Sequence, residues 1–559
     1  MLITLLSWGL IFASSFVIGF CLLKMTVYKA KDDSGLLSIE GFVLIGLLFQ
    51  TVYAQSFSLF FKVGLLCHLL LFVIFLGGLL GFYKQLISYL KERILGERRH
   101  LLKLIIAIFI ILICAFLSSG PVIHYDTDLY HAQSIRWIEE YGVLPGLGNL
   151  HNRLAYNSSF FSLQALFSMK FMLPYSLHSL NGFFICLFLL YSVLTLGIFH
   201  GRKISGSDVF KTGLIIYYCF GEVKTYVSSP GSDILTLSMV LYLGMKWSEL
   251  IEKQAASNEK ADFIPEYALL CLLAVWAVTI KLSSALFILL AVYPAGMLIA
   301  QKKWRNIACC LILGLLIMMP FLARNVIISG YLLYPYPALD LFHFDWKMPA
   351  DLVAYDSLEI MAYGRSMRSH ADYAAPFRIW FPVWYGELIL RYRILVWLNP
   401  FCLIVCLIYM VRLFIKKQTA LFILFLVLIA SLLFWFFTSP LIRYGMVYLM
   451  LLPILLAGII AAKIRRKHWG DMIMFAVLAI AGISMLRHIE IQGKTSLFVP
   501  QDYGVRECTL VEWESTAIYL PVHDDRVGYH FFPGSPSADR LRPITMRSRD
   551  LKGGFKPNP

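Results

Sequence analysis

The sequence predicts an all-α polytopic membrane protein, and three observations carry that reading. Its 559 residues are 59% hydrophobic and only 15% charged, whereas soluble domains sit near about 45–50% apolar and about 25% charged. The apolar residues gather into about fourteen long runs, and mean hydropathy is +0.72. The formal charge of +15 lies mostly in short loops between those runs, which is the positive-inside pattern and not a nucleic-acid footprint.

The run from Leu2 to Leu23 is long enough to span a bilayer and lacks a following small-residue cleavage site, so it is expected to be a retained helix. Further spans are expected near 41–57, 63–83, 104–119, 178–199, 208–222, 233–248, 266–281, 283–300, 306–327, 396–413, 419–437, 445–462 and 471–486. The eleven cysteines lie mostly inside these runs without metal-site spacing, and behave there as small hydrophobes.

Charge sets the orientation. The basic loops Lys91–Lys103, Gly201–Lys203, Gln301–Arg305, Lys416–Lys417 and Lys463–His468 fall on one side if the spans alternate, and that side should be cytoplasmic. The alternation requires that Ser159–Leu173 not cross, so it is expected to lie as a helix on the outer surface. The outer side then receives the loop 118–177, the turn 222–232, the aromatic-rich loop 329–395, the turn 438–444 and the tail. The chain divides into a three-helix segment at 1–103, a membrane module at 104–328, the long loop at 329–395, further helices at 396–486 and a small extracytoplasmic tail at 487–559.

The stretch "HYDTDLYHAQSIRWIEEYG", His124 to Gly142, is unusually polar for its setting. On a helix Asp126 and Tyr130 share one face, and Asp128 and His131 share another. A carboxylate shielded at the mouth of a bundle has a raised pKa or a cation beside it, which suits proton transfer or metal binding. A solvated amphipathic helix, with Arg136 and Glu140 as an i,i+4 pair, is the plainer reading. Other outer positions add to the polar set. Asp233 stands where a helix begins and is equally an N-cap; Lys281 stands between two runs and equally snorkels to the interface. Arg324 and Asn325 end a span, and Arg443 and Tyr444 lie between two others. Together they suit an anionic headgroup, with Arg and Lys for phosphate and Asp for base chemistry.

The run "DTDLY", Asp126–Tyr130, resembles the outer-loop acidic motif of the C-type (GT-C) glycosyltransferases, with Thr127 in place of the usual Glu and Asp128 added. Asn157–Phe171, Asp233, Thr279–Lys281 and the run through Arg324, Asn325, Gly330, Tyr334 and Pro335 resemble further parts of that superfamily. The segment from His124 to Phe161 also looks like a bacterial family of uncharacterised multi-span proteins.

The resemblance implies a GT-C-like bundle and an inverting glycosyltransferase on the outer face of a bacterial plasma membrane. It takes sugar from a polyprenyl-phosphate donor and gives it to a glycan, lipid or protein acceptor. Asp126 or Asp128 is the implied base, or the two hold a divalent metal such as Mg or Mn. Lys281, Arg324 and Arg443 are the implied phosphate cations. Tyr130, His131, Arg136, Arg153, Asn157, Asp233, Asn325 and Tyr444 are the implied substrate contacts. An O-antigen polymerase or ligase using a lipid diphosphate would share the span count and the outer arginines. A transporter of lipid-linked sugars would place charges at the midplane. An envelope scaffold would tolerate loss of any one of these residues.

Overall fold

The computed structural model describes residues 1–26, 38–95, 100–220, 226–257, 262–461, 467–491 and 497–558. Parts of the basic loops at 91–103 and 463–468, and of the turn at 222–232, lie outside the described residues. Each of the expected runs is helical where it is described, and among the described residues ten helices are long and apolar enough to cross a membrane. The chain is a multi-pass, all-α membrane protein carrying a small β-containing cap.

The shortfall from fourteen has local causes. The run at 178–199 yields the helix Leu180–Leu194 and then breaks into a 3-10 turn, Gly197–His200. Ile264–Ile280 stops where Lys281 turns extended, and the next span opens as a ten-residue 3-10 stretch, Leu282–Ala291. Gly206–Phe220 carries Asp208 and Lys211, both buried, on its inner turns. The last run yields Lys467–Ile491, whose shorter apolar core is Asp471–Ser484.

Composition decides which helices are wrapped in protein and which face lipid. Asp233–Ala256 is buried along most of its length, whereas Leu65–Leu95 exposes Leu66, Leu69, Leu70, Phe72 and Val73. A row of bare leucines on a stable helix reads as lipid-facing surface. Leu2–Thr26 and Ile39–Ser58 cross closely because Gly19 faces the Phe42 carbonyl and Gly46 faces that of Ser15, leaving no room for a Cβ. Gln50 ties the same crossing by accepting from Ser15 Oγ at 2.8 Å and donating to Ser14 Oγ at 3.0 Å.

One end of the bundle collects the expected outer loops. Leu2 N–H donates to the Leu497 carbonyl at 2.9 Å, and Gln501 N–H to the Ser119 carbonyl at 3.0 Å. The N-terminus, the exit of His100–Ser118 and the tail therefore meet there. The expected surface helix is Ser159–Phe167, and all nine of its residues are buried. Apart from Gln164 its side chains are small or apolar, and it sinks into the protein instead of lying on it. At roughly 1.5 Å per residue it is far too short to span.

The tail is no separate appendage. Its hairpins, Cys508–Trp513 with Thr516–Pro521 and Ile544–Met546 with Phe555–Pro557, share an apolar core with the outer loops through Trp137, Leu144, Tyr331, Ile518 and Phe555. Gly146 adopts φ +64° where the Phe555 backbone presses against it, and Gly330 adopts φ +83° to end Trp304–Ser329.

Candidate functional site

Asp126 leads into a five-residue π-helical turn, Thr127–His131, which continues as the helix Ala132–Glu140. A π-turn aligns residues five apart, and such turns recur at functional sites. Asp126 therefore lies near His131 as well as near Tyr130, its expected partner, while Asp128 turns to Arg506.

The turn packs on a second polar turn. Thr127 Oγ1 and Ser229 Oγ are 2.9 Å apart, and Asn181 Nδ2 donates to the Ser229 and Gly231 carbonyls at 2.6 and 2.7 Å. Gly231 leaves space for the His131 ring, which a Cβ there would meet. This packing brings Asp126 close to Asp233, in the first turn of Asp233–Ala256.

Two cations answer those carboxylates. Arg443 Nη2 lies 2.8 Å from Asp126 Oδ2, and Lys281 ion-pairs with Asp233. Tyr444 floors both, with Lys281 Nζ 3.7 Å and the Arg443 guanidinium 5.0 Å from its ring centre. The four charges sum to zero. Asp126 is 15% exposed, Arg443 22% and Lys281 26%, so the cluster is buried enough to be strong yet open to a ligand. Burial pushes the Asp126 carboxyl up, but the Arg443 guanidinium beside it leads the opposing influences, and the group sits below its ordinary value.

His124 and His131 stack at 5.8 Å, with Tyr226 5.0 Å from His124 and Tyr130 4.3 Å from His131. Burial lowers the His131 pKa to about 3, so this imidazole is neutral. Tyr130 sits at an aromatic wall, 6.1 Å from Tyr156 and 6.3 Å from Phe161.

Other expected contacts are committed elsewhere. Asp128 takes Arg506 of the cap, whose Nε is 2.8 Å away, and its carbonyl accepts from Gly528 N–H at 2.8 Å. Arg136 donates to the Tyr529 and His530 carbonyls and stacks on Phe532 at 4.8 Å. Arg153 bridges Asp356 at 3.2 Å and Glu359 at 2.9 Å. Asp356 is fully buried and also accepts from Asn152 Nδ2, Tyr156 and Tyr334. Nothing in the sequence singles it out, because its burial comes from the packing of the helix Ala350–Gly364 against the first outer loop. Arg324, Asn157 and Asn325 knit to one another and to Ser58, apart from the Lys281–Arg443 pair.

A metal shared by Asp126 and Asp128 does not fit this arrangement. The two carboxylates diverge to different arginines, and among the described residues no three His, Cys, Asp or Glu side chains converge. A divalent cation would need to displace a guanidinium from one of them and would find too few further ligands.

Residues 1–450 match the family described as a domain of unknown function, DUF8201, and the chain belongs to that family. Among curated proteins and among solved structures nothing matches. The cap lies beyond the matched residues, although it packs on the acidic loop within them.

The buried imidazoles make acid a destabilising agent. His131 and His151 are both lowered to about 3 by burial, from an ordinary value of 6.5, with Arg153 adding to the effect at His151. Between those values the unfolded chain binds protons that the folded chain refuses, so stability falls as pH drops below 6.5. The slope is at most about 1.4 kcal/mol per pH unit for each imidazole. Melting from pH 7.5 to 5 should fall less steeply in His151→Gln than in wild type; an unchanged slope would remove His151 from the account.

Proposed function

We propose that the chain is an inverting, GT-C-like glycosyltransferase that uses a polyprenyl-phosphate sugar at the outer face of a bacterial plasma membrane. The observation that carries the reading is the two neighbouring ion pairs, Asp126 with Arg443 and Asp233 with Lys281, whose cations share the Tyr444 ring at one end of a lipid-facing bundle. Two cations side by side offer charge-assisted contacts to a phosphate, and each is paired with a carboxylate that such a ligand can replace.

The reaction then follows from the exchange. An acceptor oxygen attacks the anomeric carbon, the bond from that carbon to the phosphate oxygen breaks, and the electron pair leaves on phosphate. The hydroxyl proton passes to Asp126. When phosphate engages Arg443, the influence that holds the Asp126 carboxyl low is shared, while burial still pushes it up. Its proton affinity rises as the donor binds, which suits a general base. Arg443 and Lys281 stabilise the charge that grows on the leaving phosphate.

Orientation is testable apart from chemistry. His343 and Asp539 are exposed at the loop end, and Gln301 is exposed in a basic loop expected on the other side. Cysteines introduced at the first two should react with a membrane-impermeant thiol reagent on intact cells, and one at Gln301 only after permeabilisation. The reverse labelling would place the site on the cytoplasmic side and end the proposal.

A further inference from the structure

Arg324 is 3% exposed, and among the described residues it makes no ion pair. The buried lysines at the opposite end of the bundle are different. Lys211 has Glu249 at 2.9 Å and Lys246 has Glu40 at 3.0 Å. A guanidinium keeps its proton in proteins, and an unbalanced charge out of water is costly. Asn157 Oδ1 accepts from Arg324 Nε at 3.1 Å, and Ser58 Oγ takes a second N–H, but both partners are neutral.

Arg324 lines a narrow cavity with Ser134, Trp137, Tyr156, Asn157 and Phe161, roomy enough for a single water-sized guest. Two of these residues carry buried polar atoms with no hydrogen-bond partner among the described residues, Trp137 Nε1 and Ser134 Oγ. An indole N–H can only donate, and a guanidinium can only donate. A water would satisfy geometry and leave the charge unbalanced. A phosphate would not fit.

We propose that this cavity binds one small monovalent anion of the halide class, held by Arg324 with Trp137 and Ser134 as further donors. Its lining includes none of Asp126, Asp233, Lys281 and Arg443, so it stands independently of the proposed phosphate site. The bound anion would neutralise the joint between the first outer loop and the helix Trp304–Ser329.

The test is the melting of the purified full chain in sodium chloride against sodium gluconate at equal ionic strength, since gluconate is too large for the cavity. Wild type should show a saturable rise in melting temperature with chloride alone, and Arg324→Gln should lose it. Trp137→Phe keeps a ring against Phe532 and removes only the indole donor, so it guards against a folding failure in the arginine variant. It should raise the half-saturating chloride concentration several-fold. Identical melting of wild type in both salts would overturn the proposal, as would a chloride effect undiminished in both variants. A rise with a prenyl monophosphate but not with chloride, lost in Arg324→Gln, would also overturn it and give Arg324 to a lipid headgroup.

Discussion

Asp126→Asn is expected to lower sugar transfer by about a hundredfold or more, the range for loss of a general base. The amide keeps the size of the side chain and removes its negative charge and its capacity to take the proton. The fold should survive, because Arg443 retains Tyr444 and the neighbouring Asp233. Asp128→Asn should behave differently. That carboxylate faces Arg506 of the cap, so its loss should loosen the tail and reduce transfer far less. The comparison is made by complementing a surface-glycan defect in the source cell, with protein levels followed in parallel. Full transfer by the Asp126 variant would show that the carboxylate is not the base.

The second large effect belongs to the cations. Arg443→Gln or Lys281→Gln removes one charge-assisted contact, worth about 1.5–3 kcal/mol. Affinity for a prenyl monophosphate should fall roughly ten- to a hundredfold in each. Arg324→Gln should leave that affinity unchanged, because Arg324 stands with Ser58 and Asn157 and not with the pair. Equal weakening in all three variants would join Arg324 to the phosphate site. No weakening in any would reduce the cations to interfacial anchors.

The membrane class and the positions of the helical runs were legible in the sequence, because apolar length is a property of single segments. The sorting of loops by charge also placed Asp126, Asp233, Lys281 and Arg443 on one side, and the fold brings these four together. What was not legible depends on geometry between distant segments. The α-helical spacing rule paired Asp126 with Tyr130, and Tyr130 does lie beside it, but the π-turn also brings His131 to Asp126, which that rule does not show. Asp128 and Arg136 looked like open site residues until the cap arrived from hundreds of residues away to occupy both. Arg153 likewise answers Asp356, whose burial only the packed long loop creates. Ser159–Leu173 is expected on the surface because the alternation of basic loops requires that it not cross, and the burial of all nine residues of Ser159–Phe167 depends on neighbours that loop charge does not reveal.

The central claim is that phosphate replaces carboxylate at Arg443. A cryo-electron microscopy structure of the full chain with a long-chain prenyl monophosphate tests it most directly. Phosphate density is expected between Lys281 Nζ and the Arg443 guanidinium, with the Asp126–Arg443 contact, now 2.8 Å, opened. Phosphate bound elsewhere, with that contact still closed, would contradict it.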